Sequence, residues 1–553
     1  MSTLVTPQMF TDPVVGQDFF GRDENLKLLL KRSLALRQGY RQNIAILGPE
    51  LIGKSSLLQH FMLRFEDSET LVVCIELRTQ EPFEEFATRF VTNVLHSFLK
   101  KVGSECHEAD RLRAFQKHAP KTALWIKSLL EKKPPRNQTE SFVTLLEIPS
   151  RLWKETGKYV ILILDEFDRL LELGVEEPFA VLGKQIMVQK ETMYLVASSQ
   201  MVLARMILRQ RLSLLFGHFE TITLEPFNPP VALDYLEKKW YLTALDSQAK
   251  QFLISLTGGH PFYLNVMGQH LSTYPSSELR NPSKSVIPVL EKVLFSAQGI
   301  LGHYFTKRVD HILSSDHSGK SLVILQALSK RAYSFQEIRA LFKSAKDLRS
   351  KLTRLTESGI LSRHGVFFRI TDRLFAFWLE SCFKRKVDVL TRNISEQSSA
   401  FRNEAEETMK WFTEQLKKDP HEKIMDLFTS FRGEAVEIDQ KTHRLPRFSD
   451  VRLYNGKKGE LLIIGNKDKG SWVTSFFEHE VTEEDVSEFL RQCDRLNRTI
   501  HQKVLIPAGG IHENARLLAK KERLWTWELE NVNMLLDIFG HGPVLTAQGD
   551  WHG

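Results

Sequence analysis

Residues 44–61 read IAILGPELIGKSSLLQHF, and within this run Gly48, Gly53, Lys54 and Ser55 stand at the spacing G-x4-G-K-[ST]. That spacing carries a specific chemistry. The glycines let the backbone wrap closely, so that successive N–H groups of Gly48, Pro49, Glu50, Leu51, Ile52 and Gly53 can line a phosphate cradle, proline excepted as a donor. Lys54 supplies a point charge to β- and γ-phosphate oxygens. Ser55 and Ser56 open a helix whose N-terminal dipole favours anions, and the Ser55 hydroxyl is suited to Mg2+. The context agrees: the apolar run 44–47 predicts a strand before the loop, and an apolar helical pattern follows it.

A second element fits the first. Residues 159–166 read YVILILDE. Six apolar residues without alternation predict a strand buried on both faces of a parallel sheet. Asp165 and Glu166 end it, at the edge where α/β sheets bind ligands. Asp165 is the candidate holder of the Mg2+ shell and Glu166 the candidate that polarises an attacking water, two roles that phosphoryl transfer needs filled separately.

These residues must be positioned by a larger frame. The chain has 553 residues, enough for several cores, with 42% apolar and 26% charged residues, ordinary values for a globular protein. No apolar run reads as a membrane span, and the start MSTLVTPQMFTDPVV has no basic n-region or apolar h-region, so a cytoplasmic protein with no membrane partner is expected. Cys74, Cys106, Cys382 and Cys493 are far apart and predict isolated reduced thiols. The net charge of +7 is uneven: residues 320–392 hold 16 Lys or Arg against 6 Asp or Glu, and the remainder holds 59 against 62. A module that contacts nucleic acid would show such a local excess, as would a solvated basic surface.

Strands are predicted at 43–47, 70–76, 159–164, 193–198 and 220–224, separated by helical stretches. This is an α/β pattern with a parallel sheet, expected to form a core over 1–227. A helical lid and a Pro/Ser-rich linker (273–288) are expected over 228–290. A winged helix-turn-helix with flanking helices is expected over 291–393, its helices at 320–330, 334–343 and 346–358. Leu348, Leu352 and Leu355 give the third helix one core face, and GILSRHGVFFRITD reads as a hairpin. A joint is expected at 394–401, and a small α/β domain over 394–553.

Several of these segments together resemble the archaeal-type ATPase family, in the STAND branch of AAA+-related P-loop NTPases. The resemblance covers roughly residues 15–385. FFGRDENLKLL (19–29) is similar to the family's opening box, which implies Gly21 and Arg22 near the base and ribose. GPELIGKSSL and LILDEFDRL are similar to its phosphate loop and Mg2+ strand. YLVASSQ (194–200) is similar to its sensor strand, with Ser198 and Ser199 where a small polar group would report on the γ-phosphate. TGGHPFYL (257–264) resembles the lid segment, so Gly259, His260 and Pro261 are expected to close over the nucleotide. GVFFRITDRLFAFWL (365–379) resembles the segment that follows the winged helix. The resemblance implies ATP and Mg2+ as ligands, ATP hydrolysis, and a switch that can oligomerise with nucleotide. One departure stands out. Where members tend to carry an arginine before the last strand, this chain has His218, and Arg205, Arg209 and Arg211 cannot be assigned as its substitute. Slow hydrolysis is therefore expected.

Relatives can end in a restriction-endonuclease-like fold. Residues 447–470 have its outline, with Asp450 and Lys467 in the matching places and Gly465 where a second acid should stand. Glu460 falls on the opposite strand face. A degenerate nuclease fold used for contacts, an active one using Glu434 or Glu437, and an unrelated α/β domain are the three readings. For the output, two classes remain. One is a switch acting on a protein partner. The other is ATP-dependent duplex binding through residues 320–392, with Lys346, Arg349, Lys351 and Arg354 on the third helix and Arg363 and Arg369 on the wing.

Overall fold

The computed structural model of the protein describes residues 12–104, 106–131, 138–212, 219–314, 316, 318–343, 346–387, 394–438, 441–455, 461–468 and 470–544. They fall into two compact units, Met1–Glu225 and Pro226–Gly553.

The first unit is built on five parallel strands: β1 (Asn43–Leu47), β2 (Thr70–Glu76), β3 (Tyr159–Asp165), β4 (Thr192–Ser198) and β5 (Phe219–Thr223). Their order is β2-β3-β4-β1-β5. Unbroken apolar runs form them because both sheet faces are covered. Ala45, Leu47, Leu162, Leu164 and Val196 pack into one apolar cluster. Ile44, Ile46, Ile161, Ile163 and Leu195 pack into another on the opposite face. This P-loop NTPase sheet brings the ends of β1, β3 and β4 to one edge. The helix Lys54–Arg64 starts directly behind β1.

The second unit begins with helices, among them Ser247–Thr257 and Pro261–Leu271. The expected linker at 273–288 is not a linker. Ser276–Leu279 and Pro282–Leu290 are helical, with Val286, Ile287, Val289 and Leu290 buried. Proline misleads here because Pro282 opens its helix, where the missing N–H costs nothing. The expected joint at 394–401 is likewise the first two turns of the helix Ile394–Lys417, in which Phe401 is buried and stacks on Phe295. The span Pro282–Ser314 is long and apolar enough to cross a membrane by length and composition, contrary to the expectation that no such run exists. Its apolar side chains, Leu294, Leu301, Phe305 and Val309 among them, are core residues of the unit.

Between 320 and 370 come three helices, Lys320–Leu328, Phe335–Ala340 and Leu348–Glu357, with strands β6 (Tyr333–Ser334), β7 (Leu361–His364) and β8 (Phe367–Ile370) in the order β6-β8-β7. Leu348, Leu352 and Leu355 are buried as their spacing requires. The third helix starts two residues later than expected, so Lys346 precedes it. The C-terminal part carries β9 (Ala435–Ile438) paired with β10 (Lys441–Arg444). A five-stranded sheet follows, with β11 (Asp450–Asn455), β12 (Leu461–Lys467), β13 (Gly470–Phe477), β14 (Ile500–Pro507) and β15 (Trp525–Thr526) in sequence order.

Candidate functional site

The phosphate loop is shaped by backbone constraints. A Cβ on Gly48 would lie 2.7 Å from the Leu224 carbonyl oxygen and 2.9 Å from Ile52 Cγ2, so only glycine fits. Leu51 (φ 58°) and Gly53 (φ 104°) are left-handed. Gly53 caps the helix Lys54–Arg64, and its carbonyl accepts the Leu57 N–H at 2.9 Å. These turns make the loop curl around the helix N-terminus. Glu50 and Pro49 are exposed at its rim and Ile52 is buried under it.

Lys54 is 4% exposed. Its ammonium donates to the carbonyls of Gly48 (3.1 Å) and Pro49 (3.0 Å) and lies 3.8 Å from Glu166 Oε1. Burial pulls its pKa down, opposed by the charges of Glu166 and Asp165. Ser55 donates its hydroxyl to Asp165 Oδ2 at 2.7 Å. Burial raises the Asp165 carboxyl, as does the neighbouring Glu166, while the Ser55 hydroxyl bond opposes the rise. A hydroxyl and a carboxylate side by side are hard oxygen donors of the kind Mg2+ takes, so the donor set fits that ion.

Glu166 has φ 53°, a left-handed conformation that costs a non-glycine residue about 1–2 kcal/mol. The turn points its carboxylate back along the sheet edge. Oε1 faces Lys54, and Oε2 accepts both the N–H (3.0 Å) and the hydroxyl (2.6 Å) of Ser199. Strain of this kind concentrates at working sites.

The structure thus brings together Lys54, Ser55, Asp165 and Glu166. Ser198, expected as the sensor, is turned away. Its hydroxyl is fully buried, donates to Asp168 and accepts the Gln200 N–H at 3.0 Å. The residue that touches Glu166 is Ser199. Strand alternation explains the exchange, since consecutive side chains at the end of β4 leave on opposite faces. Asp168, absent from the sequence reading, is buried and its carboxyl is raised by that burial, with the Ser198 bond opposing. It lies in the 3-10 turn Phe167–Glu172.

Arg22 caps the helix Asp23–Ala35 and donates to the Glu225 carbonyl just beyond β5. Burial lowers its pKa to about 10. Ser56, expected at the phosphates, accepts the Val14 N–H at 3.0 Å. Pro261 belongs to the second unit, where it opens the helix Pro261–Leu271. Arg205, Arg209 and Arg211 are exposed, and His218 lies outside the described residues.

In the basic segment 320–392 some of the charges are paired within the fold. Lys351 is paired with Asp316, a carboxylate 3% exposed that also accepts from Ser318 and Ser321. Burial pushes the Asp316 carboxyl up, but the bonds from Lys351, Ser321 and Ser318 hold it well below the usual carboxylate range. Arg369 is largely buried and paired with Asp537. The hairpin β7–β8 is enclosed as well. Val366 donates to the Ala435 carbonyl at 3.0 Å, Gly365 leaves no room for a Cβ against Ala435, and Phe367 packs edge-on to Phe539 at 5.6 Å. Arg349, Arg354 and Arg363 remain exposed. In the C-terminal sheet the position of a side chain on Gly465 is filled by the Phe448 ring, 2.6 Å from an added Cβ. Asp450 is paired with Arg452 at 2.6 Å, and Lys467 ends β12. Glu437 lies in the separate β9–β10 sheet, Glu434 receives the Arg432 N–H, and Glu460 lies outside the described residues. Among the described residues no group of three His, Cys, Asp or Glu could hold a metal ion.

Residues 18–216 match the family model described as AAA ATPase domain. The matched residues hold the phosphate loop and strands β1 to β4. No curated protein matches the sequence. Solved structures similar to the chain include a Walker-type ATPase of Pyrococcus abyssi, at 18% identity and a TM-score of 0.46, covering 67% of this chain and 99% of that one. The ORC2 protein of Aeropyrum pernix, solved as ADPNP-ADP complexes, is similar at 14% identity and a TM-score of 0.43, covering 71% and 98%. The RuvB Holliday junction branch migration motor of Thermotoga maritima is similar at 14% identity and a TM-score of 0.31, covering 66% and 97%. At that similarity none of them assigns an activity to this chain.

Proposed function

We propose that the protein is a cytoplasmic ATP-driven switch that binds ATP with Mg2+ at residues 48–56, hydrolyses it slowly, and uses the nucleotide state to control contacts of its later modules with a protein partner. The observation that carries this reading is the carboxylate of Glu166, held between Lys54 and Ser199 beside the Ser55–Asp165 pair. Glu166 would polarise the attacking water, with Ser199 holding its orientation. Lys54 leaves the Gly48 and Pro49 carbonyls for phosphate oxygens, exchanging neutral acceptors for charged ones. Ser55 and Asp165 would hold Mg2+, which neutralises phosphate charge when bound. Arg22 and, from the lid, Pro261 are the proposed neighbours of the base and ribose and of the closed nucleotide. Slow turnover follows from the missing arginine at 218, since a finger is worth about 10³–10⁵ in rate. Nucleotide-dependent oligomerisation is part of the same reading.

The four modules proposed are the core (1–227), the lid (228–290), a winged helix with flanking helices (291–393) and a degenerate nuclease-like module (394–553). Enclosure of the hairpin β7–β8 and neutralisation of Lys351 and Arg369 favour a protein-facing output. A second reading, weak duplex binding, is favoured by the exposed Arg349 and Arg354 on one helix. The test of the site is calorimetry with ATP and Mg2+. Lys54→Ala should lose most of the affinity, and equal affinity in both proteins would remove the assignment.

A further inference from the structure

Strand β4 ends in two serines with different tasks. Ser199 meets Glu166 with both its N–H (3.0 Å) and its hydroxyl (2.6 Å). Ser198 holds the backbone beside that contact. Its carbonyl accepts the Gly48 N–H of the phosphate loop at 3.3 Å. Its hydroxyl accepts the Gln200 N–H at 3.0 Å and donates to Asp168 Oδ1 at 2.5 Å. The backbone on both sides of Ser199 is therefore tied to one hydroxyl, and that hydroxyl is tied to Asp168.

Asp168 is presented from a fixed support. It lies in the turn Phe167–Glu172, where Phe167 and Leu170 are fully buried in an apolar cluster and Phe167 packs edge-on to Phe179 at 5.9 Å. Arg169 closes the turn, its N–H donating to the Glu166 carbonyl at 3.0 Å and its guanidinium to the Leu77 carbonyl at 2.9 Å. Asp168 and Glu166 thus leave one short, anchored segment, and each reaches one of two consecutive serines. Consecutive strand residues point to opposite faces, so Ser199 meets Glu166 while Ser198 turns toward Asp168. Burying a carboxylate is costly, and Asp168 is 6% exposed. Buried polar groups can specify one arrangement of their surroundings rather than add stability.

We propose that Asp168 is a positioning residue for ATP hydrolysis: through the Ser198 hydroxyl it holds the turn 198–200, and that turn holds Ser199 against Glu166. The proposal rests on the ATP reading of the site and adds to it a residue that acts through Ser198. Both donors to Glu166 come from Ser199, so a shift of its backbone moves them together. Without Asp168 the Ser198 hydroxyl is free to rotate, and the Gln200 N–H loses a fixed acceptor. A displacement of about 1 Å can cost about 10²-fold in rate. The Lys54 ammonium is held by the Gly48 and Pro49 carbonyls and not by this turn, so ATP affinity should change little.

The test is single-turnover hydrolysis of ATP with Mg2+ by the full chain, with ATP affinity measured by calorimetry. Asp168→Ala and Ser198→Ala break the same hydrogen bond from its two ends. Each should lose about tenfold to hundredfold in rate and bind ATP within about twofold of wild type. Asp168→Asn keeps an oxygen for the Ser198 hydroxyl and should recover the rate to within about fivefold of wild type. A residue that acts through Ser199 has little further to lose once Ser199 is impaired. Asp168→Ala combined with Ser199→Ala should therefore be no more than about twofold slower than the slower single variant, a result that a merely structural role would not give. If Asp168→Ala does not fold, Ser198→Ala carries the same comparison. Losses that multiply, Asp168→Asn as slow as Asp168→Ala, affinity lost in step with rate, or an unchanged rate in Asp168→Ala would each overturn the proposal. Turnover that survives Glu166→Gln would instead remove the role of Glu166, and a wild type that does not hydrolyse ATP would remove the reading of the site; the positioning role falls with either.

Discussion

Glu166→Gln isolates the charge of one carboxylate and keeps its shape. In the native site Oε2 accepts from the Ser199 N–H and hydroxyl, and Oε1 lies 3.8 Å from the Lys54 ammonium. A glutamine can keep the Ser199 pairing through its oxygen. Its NH2 must then face Lys54, so an attraction becomes a weak repulsion. At that separation the pair is worth roughly 4 kcal/mol at an effective dielectric constant near 20 before desolvation is charged against it. Glu166 is 17% exposed and Lys54 keeps its two carbonyl acceptors, so the net loss of anchoring is smaller, about 1–2 kcal/mol. Chemistry suffers more. Loss of a positioned base typically removes about 10²–10⁴ in rate. Binding moves the other way: one negative charge fewer beside a triphosphate leaves ATP affinity equal or tighter. Asp165 should also titrate lower, because Glu166 is one cause of its raised pKa. Calorimetry for binding and single-turnover assays for chemistry separate these effects. Turnover within about threefold of wild type would be far below the expected loss and would refute the role of Glu166.

Two further outcomes are expected. Burial, and then Arg369, push the His364 imidazole down to about 4. An imidazole held neutral in the fold stabilises above its unfolded pKa near 6.5 and loses that contribution as pH falls toward about 4, so thermal melts should show a decline across that window that His364→Gln flattens. Arg349→Glu with Arg354→Glu should abolish any salt-dependent duplex binding in a fluorescence anisotropy titration, whereas Lys351→Gln should lower the melting temperature through the buried Asp316 and leave binding unchanged; a Lys351 effect on the salt slope would restore it as a phosphate contact.

Much of the first unit was legible because its signals are local and strong. The apolar runs 44–47 and 159–164 could only be strands covered on both faces, and the spacing of Gly48, Gly53, Lys54 and Ser55 fixes a loop conformation that few other sequences satisfy. The roles at the end of β4 were harder to read. Ser198 and Ser199 are chemically alike, and only the register of the strand decides that Ser199 meets Glu166 while Ser198 meets Asp168. The linker at 273–288 was misread for a different reason. Pro275 and Pro282 mark helix starts as readily as helix ends, and the burial of Val286 and Leu290 is a tertiary fact that composition does not carry.

Charge counting fails in the same way in the module 320–392. A surplus of basic residues describes a surface only if those residues are on the surface and unopposed. Lys351 meets an aspartate that precedes the module, and Arg369 and Arg373 meet an aspartate more than 160 residues later in the chain. Both partners lie outside the segment whose charge was summed, so the segment looked more basic than the folded region is. Strand β12 shows the complementary case. There the absence of a carboxylate at Gly465 is visible in one letter, but what fills its place is not. Phe448 occupies the space that a side chain at 465 would need, and its ring packs at 5.4 Å on Phe428 in the core of the module. An acid placed at 465 would displace that ring before it could hold an ion, so glycine at this position is a requirement of the packing of the module.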